Sequence, residues 1–308
     1  MRYWFATIVI VAVLGAVAWT LPDKRRELVH AITTYDAVPT APAPLPGGVG
    51  PPMLRATRTR VVLIDGLARS VARTLPHWDA ACRAGMRLEV DVGFPTVSLP
   101  VEAEIWTGLT QQQSGIVYRS GVPLVPPLDK KGIPAQVPGS IAVAEAYGYI
   151  VRSLGFAIAM PVAEVGNPAK DSDVNTDAKG PGWKDKWQDE ALAAVKGTSP
   201  LVFVHILRVD TAGHRTGRDS PGYAVAAGSA DAILGELVAA APDARWFALT
   251  DHSHRPAGGH GGEERELRQV EGCIAGPGVP RLHGGPVHAV DVARALADST
   301  GAKLDRQA

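Results

Sequence analysis

Three short apolar runs constrain this chain most, because each leads into a residue that can hold a metal ion. Arg60 to Ile64 leads into Asp65, Leu201 to Leu207 into Asp210, and Trp246 to Leu249 into Asp251 and His252. Runs of this length, rich in Val, Ile, Leu and Phe, are expected for strands buried on both faces. In open α/β sheets, functional groups gather just beyond the carboxyl ends of the strands. Helical patterns separate the runs: Leu67 to Ala84, Val101 to Leu109, Ser140 to Leu154, Trp187 to Val195 and Tyr223 to Ala240. A last helical period covers Val287 to Ala297, with Gly301 shortly after it. This alternation predicts an α/β fold with a mostly parallel central sheet and helices on both faces. Acids at the ends of three separate strands exceed what such a sheet needs for stability.

Each candidate ligand also has an ordinary explanation. Asp65 at a strand end could cap the helix that follows. Asp210 and His214 are four apart and can share an ion if Thr211-Ala212-Gly213 forms a turn, which Gly213 makes easy. Asp251 and His252 are adjacent, and at a strand end the chain can bring both onto one ion. His260 lies between Gly258-Gly259 and Gly261-Gly262, a cluster that lets backbone approach an ion closely. Carboxylate oxygen and imidazole nitrogen together suit zinc and similar divalent ions. His254 shares this loop without a matching context, and His205, inside a strand, is expected to be a core or hydrogen-bonded histidine.

Ser98 precedes Leu99-Pro100-Val101-Glu102, which has the character of a helix start. Simple capping is one explanation. The other is nucleophilic, since a helix N-terminus binds phosphate well and a hydroxyl near a divalent ion can attack near neutral pH.

At 308 residues the chain can build a sizeable core, and Lys+Arg and Asp+Glu both number 31, so no basic surplus supports nucleic-acid binding. Cys82 and Cys273 are too few for a disulfide framework, and their apolar context predicts ordinary buried thiols; a single disulfide between them is the alternative. Trp4 to Leu21 carries no charge and is about as long as the shortest membrane span, with Trp4 and Trp19 near its ends. Residues 1–22 are therefore expected to be a membrane anchor, or a signal peptide cut near Ala16-Val17-Ala18. Lys24-Arg25-Arg26 would favour a cytoplasmic domain, but the very short N-terminal tail resembles an export signal, and an extracytoplasmic domain is expected. Residues 23–57, including the proline-rich stretch Ala37 to Pro52, are expected to form a linker, and residues 58–303 the folded domain. Gly121 to Pro138 and Asn167 to Gly182 have the composition of surface excursions that could shape a pocket.

In order, spacing and flanking residues, the chain resembles the alkaline phosphatase superfamily, most closely its type I phosphodiesterase/nucleotide pyrophosphatase branch. The first metal-binding Asp of that family falls on Asp65 in Val62-Leu63-Ile64-Asp65-Gly66. Its nucleophile motif matches Pro95 to Pro100 and places the nucleophile on Ser98. Thr107-Gly108-Leu109 is present, and Ser114-Gly115-Ile116 matches Ser-His-Gly-Ile with the His missing. Asp210, Gly213, His214 and Gly217 match Asp-x-x-Gly-His-x-x-Gly; Asp251-His252 matches Asp-His-Gly-Met, with Ser253-His254 in place of Gly-Met; His260-Gly261-Gly262 matches x-His-Gly-Gly. There are two departures. Val101 stands where nucleotide pyrophosphatases carry an Asn that holds the phosphoryl oxygens, and Glu102 stands where sulfatases need Arg to mature their nucleophile.

The resemblance implies two divalent ions, zinc or else manganese. Asp210, His214 and His260 would hold one; Asp65, Asp251, His252 and Ser98 would hold the other. It implies a phosphoric ester hydrolase, phosphodiesterase or phosphatase, working through a phosphoseryl intermediate on a small-molecule or lipid-linked ester. The alternatives are transfer of a phospho-headgroup to an envelope acceptor, and a non-catalytic homologue that binds a ligand.

Overall fold

The computed structural model describes residues 9–17, 54–114, 116, 132–146, 148–158 and 181–304. The chain divides into two units, residues 1–40 and 41–308. In the first, residues 9–17 form a helix, α1, whose Val9, Ile10, Val11, Val13, Leu14 and Val17 are exposed. The rest of the expected span and the Ala37 to Pro52 linker lie outside the described residues.

The second unit begins its regular structure with strand β1 (Thr59–Ile64), followed by helices α2 (Arg69–Ala72) and α3 (Pro76–Ala84), strand β2 (Met86–Asp91) and helices α4 (Ser98–Thr107) and α5 (Gln111–Ser114). Next come α6 (Ile133–Gln136), β3 (Ile141–Ala144), α7 (Gly148–Ser153), β4 (Ala157–Ile158), α8 (Pro181–Lys196) and β5 (Leu201–Ile206). The chain closes with α9 (Arg208–Thr216), α10 (Pro221–Ala240), β6 (Arg245–Leu249), α11 (Arg265–Arg268), β7 (Gln269–Ala275), β8 (Leu282–His288) and α12 (Ala289–Thr300).

The sheet order is β4-β3-β5-β1-β6-β7-β2-β8. β1 pairs in parallel with β5 and β6; β3 with β4 and β5, and β2 with β8, are parallel too. Only β7 runs antiparallel to both its neighbours. The three runs predicted as strands are therefore β5, β1 and β6, side by side at the centre. Side chains of a strand alternate between faces, and β1 shows this directly. Val61 and Leu63 join one apolar cluster with Trp106 of α4, Ile150 of α7 and Leu296 of α12; Val62 and Ile64 join another with Trp78 of α3, Trp187 of α8 and Leu234 of α10. Helices thus cover both faces, as expected. α10 is apolar and long enough to cross a membrane by composition, but Ala227, Ala230, Leu234 and Leu237 line the core, and it is a core helix here.

Several local expectations are corrected. Leu67 to Ala84 is two helices, because Pro76 cannot continue the first and instead opens the second. Ser140 to Leu154 contains β3 before α7; a short Ile-Ala-Val-Ala run fits either class by periodicity, and pairing with β5 decides it. The closing period is split, with β8 reaching His288 and α12 starting at Ala289. β2 was signalled by the alternation Met86, Leu88, Val90, all buried between half-buried polar residues. Of the two excursions, only residues 132–138 and 181–182 are described; Ile133–Gln136 is a short helix and Pro181 begins α8. Cys82 and Cys273 are not free thiols but form a disulfide, because α3 lies over β7 and brings their Cα atoms to 4.7 Å across 191 residues of sequence.

Candidate metal centre

β5, β1 and β6 run in register, Leu63 pairing with both His205 and Leu249, so their carboxyl ends finish together. Asp65, Asp210 and Asp251 follow those ends within a few residues, and all three are at most 2 % exposed. The structure brings every sequence-predicted ligand to this edge, in two groups.

In the first group, Asp65 Oδ1 lies 3.3 Å from His252 Nε2, and Ser98 Oγ lies 3.4 Å from each of them. Asp251 Oδ2 is 3.4 Å from the same His252 nitrogen. In the second, Asp210 Oδ1 is 3.4 Å from His214 Nε2 and 3.5 Å from His260 Nε2, while the two nitrogens are 3.0 Å apart. His252 Nε2 to Asp210 Oδ1, at 4.0 Å, links the groups. Tetrahedral ligands at zinc distances sit about 3.3 Å from one another. Both groups fit a divalent ion on that measure.

Two further observations support the fit. Asp251 Oδ2 is buried with no hydrogen-bond partner, which is costly unless a cation faces it. The histidines also turn the right atom inward. His260 Nδ1 donates to Thr96 O at 2.7 Å and His252 Nδ1 to Ser253 O at 3.3 Å, so in each neutral ring Nε2 carries the lone pair.

The electrostatics of the protein alone are those of crowded buried acids. Burial pushes the Asp65 carboxyl up, but hydrogen bonds with His205 and His252 outweigh this and hold it well below the usual range. Burial and the neighbouring Asp65 charge push Asp251 well above that range. Burial lowers His252, yet Asp251 and Asp65 together raise it to about 10. Burial and the charge of His252 drive His260 down to about 3. Like charges confined in low dielectric favour such splitting, and cations at the centre would relieve it.

The supporting elements differ from expectation in two places. Asp210 and His214 sit on a helix, α9, rather than in a turn; four residues apart, they share a face of it. Gly213 is needed for packing: a Cβ there would lie 2.3 Å from His254 Cδ2. Ser98 is not a capping serine. Val97 is the N-cap, without a side-chain cap bond, and Ser98 is the first residue of α4 with its Oγ turned to Asp65 and His252.

Four supporting residues escaped the sequence reading as functional candidates. His254 is fully buried, and its Nε2 meets Asp210 Oδ1 at 3.0 Å, the same oxygen that faces His214 and His260, so with Asp210, His252 and His260 it forms a group able to hold an ion. Thr96 ties the nucleophile segment to the His260 loop, its hydroxyl donating to Gly262 O and accepting from Gly261 N. His205 proves to be hydrogen-bonded to Glu102 at 3.1 Å, with Asp65 Oδ2 3.4 Å from the same nitrogen. Glu102 was legible only as a departure from the sulfatase pattern. Val101 is fully buried in the apolar cluster and has no donor to offer the site.

No protein-family model and no curated protein sequence matches the chain. Solved structures do. Murine ectonucleotide pyrophosphatase/phosphodiesterase 5, in an inactive form with AMP, superposes with TM-score 0.62 at 13 % identity, covering 82 % of this chain and 97 % of that one. A 2-O GAG sulfatase superposes with TM-score 0.59 at 16 % identity over 82 % and 72 % of the two chains. An alkaline phosphatase superfamily protein from Vibrio parahaemolyticus gives TM-score 0.54 at 14 % identity over 90 % and 74 %. The fold is thus that of the alkaline phosphatase superfamily, as the motifs implied.

Proposed function

We propose that the chain is a two-metal hydrolase of phosphoric esters, working through a phosphoseryl intermediate on Ser98. The observation that carries this reading is the geometry of two ligand groups joined through His252 and Asp210, with Ser98 Oγ as a corner of one. Asp65, Asp251, His252 and Ser98 would hold one ion, and Asp210, His214 and His260 the other. Zinc, with manganese as the alternative, suits an all-nitrogen-and-oxygen donor set. Bound there, the ions would supply Lewis-acid stabilisation of charge on the phosphoryl oxygens and favour ionised serine and water.

The chain's own groups supply the rest. Ser98 heads α4, so the backbone N–H groups of Ser98 and Leu99 and the positive end of the helix dipole would face a docked phosphoryl group, Pro100 having no N–H and Val101 donating to Val97 O. Ser98 Oγ attacks phosphorus; the new O–P bond forms as the ester O–P bond breaks, and the alcohol leaves with a proton from water. Water then attacks the phosphoserine, releasing phosphate or a phosphomonoester and restoring the hydroxyl. Glu102 is buried against His205, where the sulfatase maturation pattern needs an arginine, which favours phosphate over sulfate esters. Val101 cannot act as an oxyanion donor. Losing one such donor costs about 3 kcal/mol, on the order of a hundredfold in rate, so nucleotide diesters should be poor substrates. AMP is bound by the murine neighbour, which makes nucleotide diesters the proper comparison substrate.

The proposed setting is membrane-anchored and extracytoplasmic. The apolar N-terminal segment supports the anchor, and the Cys82–Cys273 disulfide supports an oxidising compartment. The test is initial rates on phosphomonoester, phosphodiester and sulfate ester chromogens with added zinc or manganese, alongside elemental analysis of the full chain in detergent. Close to two ions per chain are expected; less than about half an ion, with no gain on adding zinc, sinks the reading.

A further inference from the structure

The turn that leaves β1 is held by side chains from elsewhere in the fold. Gly66 N donates to Asp251 Oδ1 at 3.0 Å, Leu67 N to Thr250 Oγ1 at 3.1 Å, and Ala68 N to the Tyr223 hydroxyl at 2.7 Å. Tyr223 lies on α10 and is fully buried, and its hydroxyl donates in turn to Gly66 O at 2.5 Å. One bond given and one received thus close the turn across Leu67, using the hydroxyl's single proton and one of its lone pairs.

The turn bears on which Asp251 oxygen is left for an ion. Oδ1 accepts two backbone N–H groups, those of Gly66 and His252, each at 3.0 Å. Oδ2 is the buried oxygen without a partner, 3.4 Å from His252 Nε2. A carboxylate free to rotate can exchange its two oxygens, whereas one with donors fixed on Oδ1 must break both bonds to do so. The His252 donor comes from the next residue and moves with Asp251. The Gly66 donor comes from just past the end of β1, 185 positions away, so its hold is only as firm as the turn. Gly66 has φ 73°, a left-handed conformation that glycine adopts without steric cost, and the Tyr223 hydroxyl bridges the two peptides that follow it.

We propose that Tyr223 is a positioning residue: its hydroxyl clamps the turn after Asp65, so that Gly66 N–H holds Asp251 Oδ1 and Oδ2 stays turned to the ion shared with Asp65 and His252. This rests on the two-metal reading above. Loss of an outer partner of a metal ligand typically costs about 10- to 100-fold in metal affinity or activity. Tyr223 acts one contact further out, through Gly66, so the lower end of that range is expected. The loss should also be selective. Asp210 and His214 are carried by α9 and His260 by the glycine-rich loop, so their ion should be held as in wild type.

The test compares wild type, Tyr223→Phe and Ser299→Ala as full chains in detergent. Tyr223→Phe removes the hydroxyl and keeps the ring, including its edge-on contact with His254. Ser299→Ala is the stability control, because it deletes another buried hydroxyl bond, to Thr59 at the far end of β1. Zinc affinity is measured by competition with a chromogenic chelator, kcat and KM on a chromogenic phosphodiester, and folding by thermal melting. Tyr223→Phe should weaken one zinc ion and lower kcat, each by about tenfold, with KM changed less than about threefold. Ser299→Ala should lower the melting temperature similarly and leave zinc affinity and kcat at wild-type values. In a His214→Ala background, which cripples the other ion group, Tyr223→Phe should still weaken the remaining ion by about tenfold. If Tyr223→Phe fails to fold, Thr250→Val, which frees the Leu67 amide of the same turn, decides: the same selective loss is expected, and unchanged zinc affinity overturns the proposal. Equal weakening of both ions in Tyr223→Phe also overturns it, as does the same zinc loss in Ser299→Ala. If wild type binds no zinc, the two-metal reading fails and this proposal falls with it; if wild type binds two ions that Tyr223→Phe leaves unchanged, the proposal alone fails.

Discussion

The two halves of the candidate site are built differently, although their ligand spacings are alike. In the Asp65, Asp251 and His252 half, each residue is at most 1 % exposed and follows directly from a central strand. The Asp210, His214 and His260 half draws on α9 and on a glycine-rich loop, and the His214 side chain is 45 % exposed. The first half is fixed by the sheet. The second is assembled against it by tethers, chiefly Thr96 to the His260 loop and His254 to Asp210. A buried, strand-based half suits a nucleophile that must not move, and a half opened to solvent through His214, with Asp210 and His260 buried beside it, suits exchange of water, substrate and product.

The sharpest way to break that comparison is to remove the nucleophile from the buried half. Ser98→Ala should lower phosphodiester turnover by on the order of a thousandfold or more while melting temperature changes little, since the hydroxyl makes no helix-cap bond. Burst kinetics and acid trapping of a labelled phosphoprotein check the same point, because the wild type should label on serine and the variant should not. Turnover of Ser98→Ala within tenfold of wild type would move the nucleophile elsewhere.

Metal removal separates the halves next. Partial chelation at neutral pH should take about one ion per chain before the other, and the early loss should be from the exposed half. His214→Ala should erase the early phase, lower turnover by about 10- to 100-fold and leave the late phase in place. Release in one phase, or an early phase untouched by His214→Ala, would show that exposure does not order the two sites.

Thr96→Ala probes the tether with a smaller effect. It removes two partly buried hydrogen bonds, to Gly262 O and from Gly261 N, each worth about 1 kcal/mol net. The carbonyl that receives His260 Nδ1 remains. Turnover should fall by about tenfold, with the early-leaving ion released more readily and Ser98 still labelled. A fully inactive but folded Thr96→Ala would instead shift the nucleophile by two residues.

The same division explains what was legible in the sequence. β5, β1 and β6 each carry a run of buried apolar residues, and the ligand after each run follows its strand within four residues. Ser98 and the His260 glycine cluster could be found for the same local reason. The outer supports could not. His254 matters because α9 has a glycine opposite its ring, and Glu102 because α4 packs where β5 presents His205. Those contacts span 41 residues for Gly213 and His254 and 103 for Glu102 and His205, and no local pattern encodes them. The disulfide failed in the same way, with its cysteines 191 positions apart in sequence. β2 was a different miss, since its period-two pattern was present in the sequence.

Glu104 supplies the smallest test and a control for the whole comparison. It lies on α4, two residues beyond Glu102, and is 6 % exposed, yet among the described residues no metal-ligating cluster includes it. Its Oε1 accepts the Gln111 amide at 2.8 Å. Burial, which that hydrogen bond only partly offsets, raises its carboxyl from 4.5 to about 8. A carboxyl raised on folding is protonated in the folded chain over a range where the unfolded chain has already lost the proton. Stability should therefore fall as pH rises from about 4.5 toward about 8, because the unfolded state binds fewer protons there. Glu104→Gln keeps the oxygen that receives Gln111 and cannot ionise. Its melting temperature should match wild type near pH 4.5 and exceed it at pH 8, by an amount corresponding to on the order of 1–3 kcal/mol. Zinc binding and turnover should not change. If Glu104→Gln is instead less stable than wild type at pH 8, the carboxylate is compensated in place, and burial alone does not distinguish the acids that need an ion from those that do not.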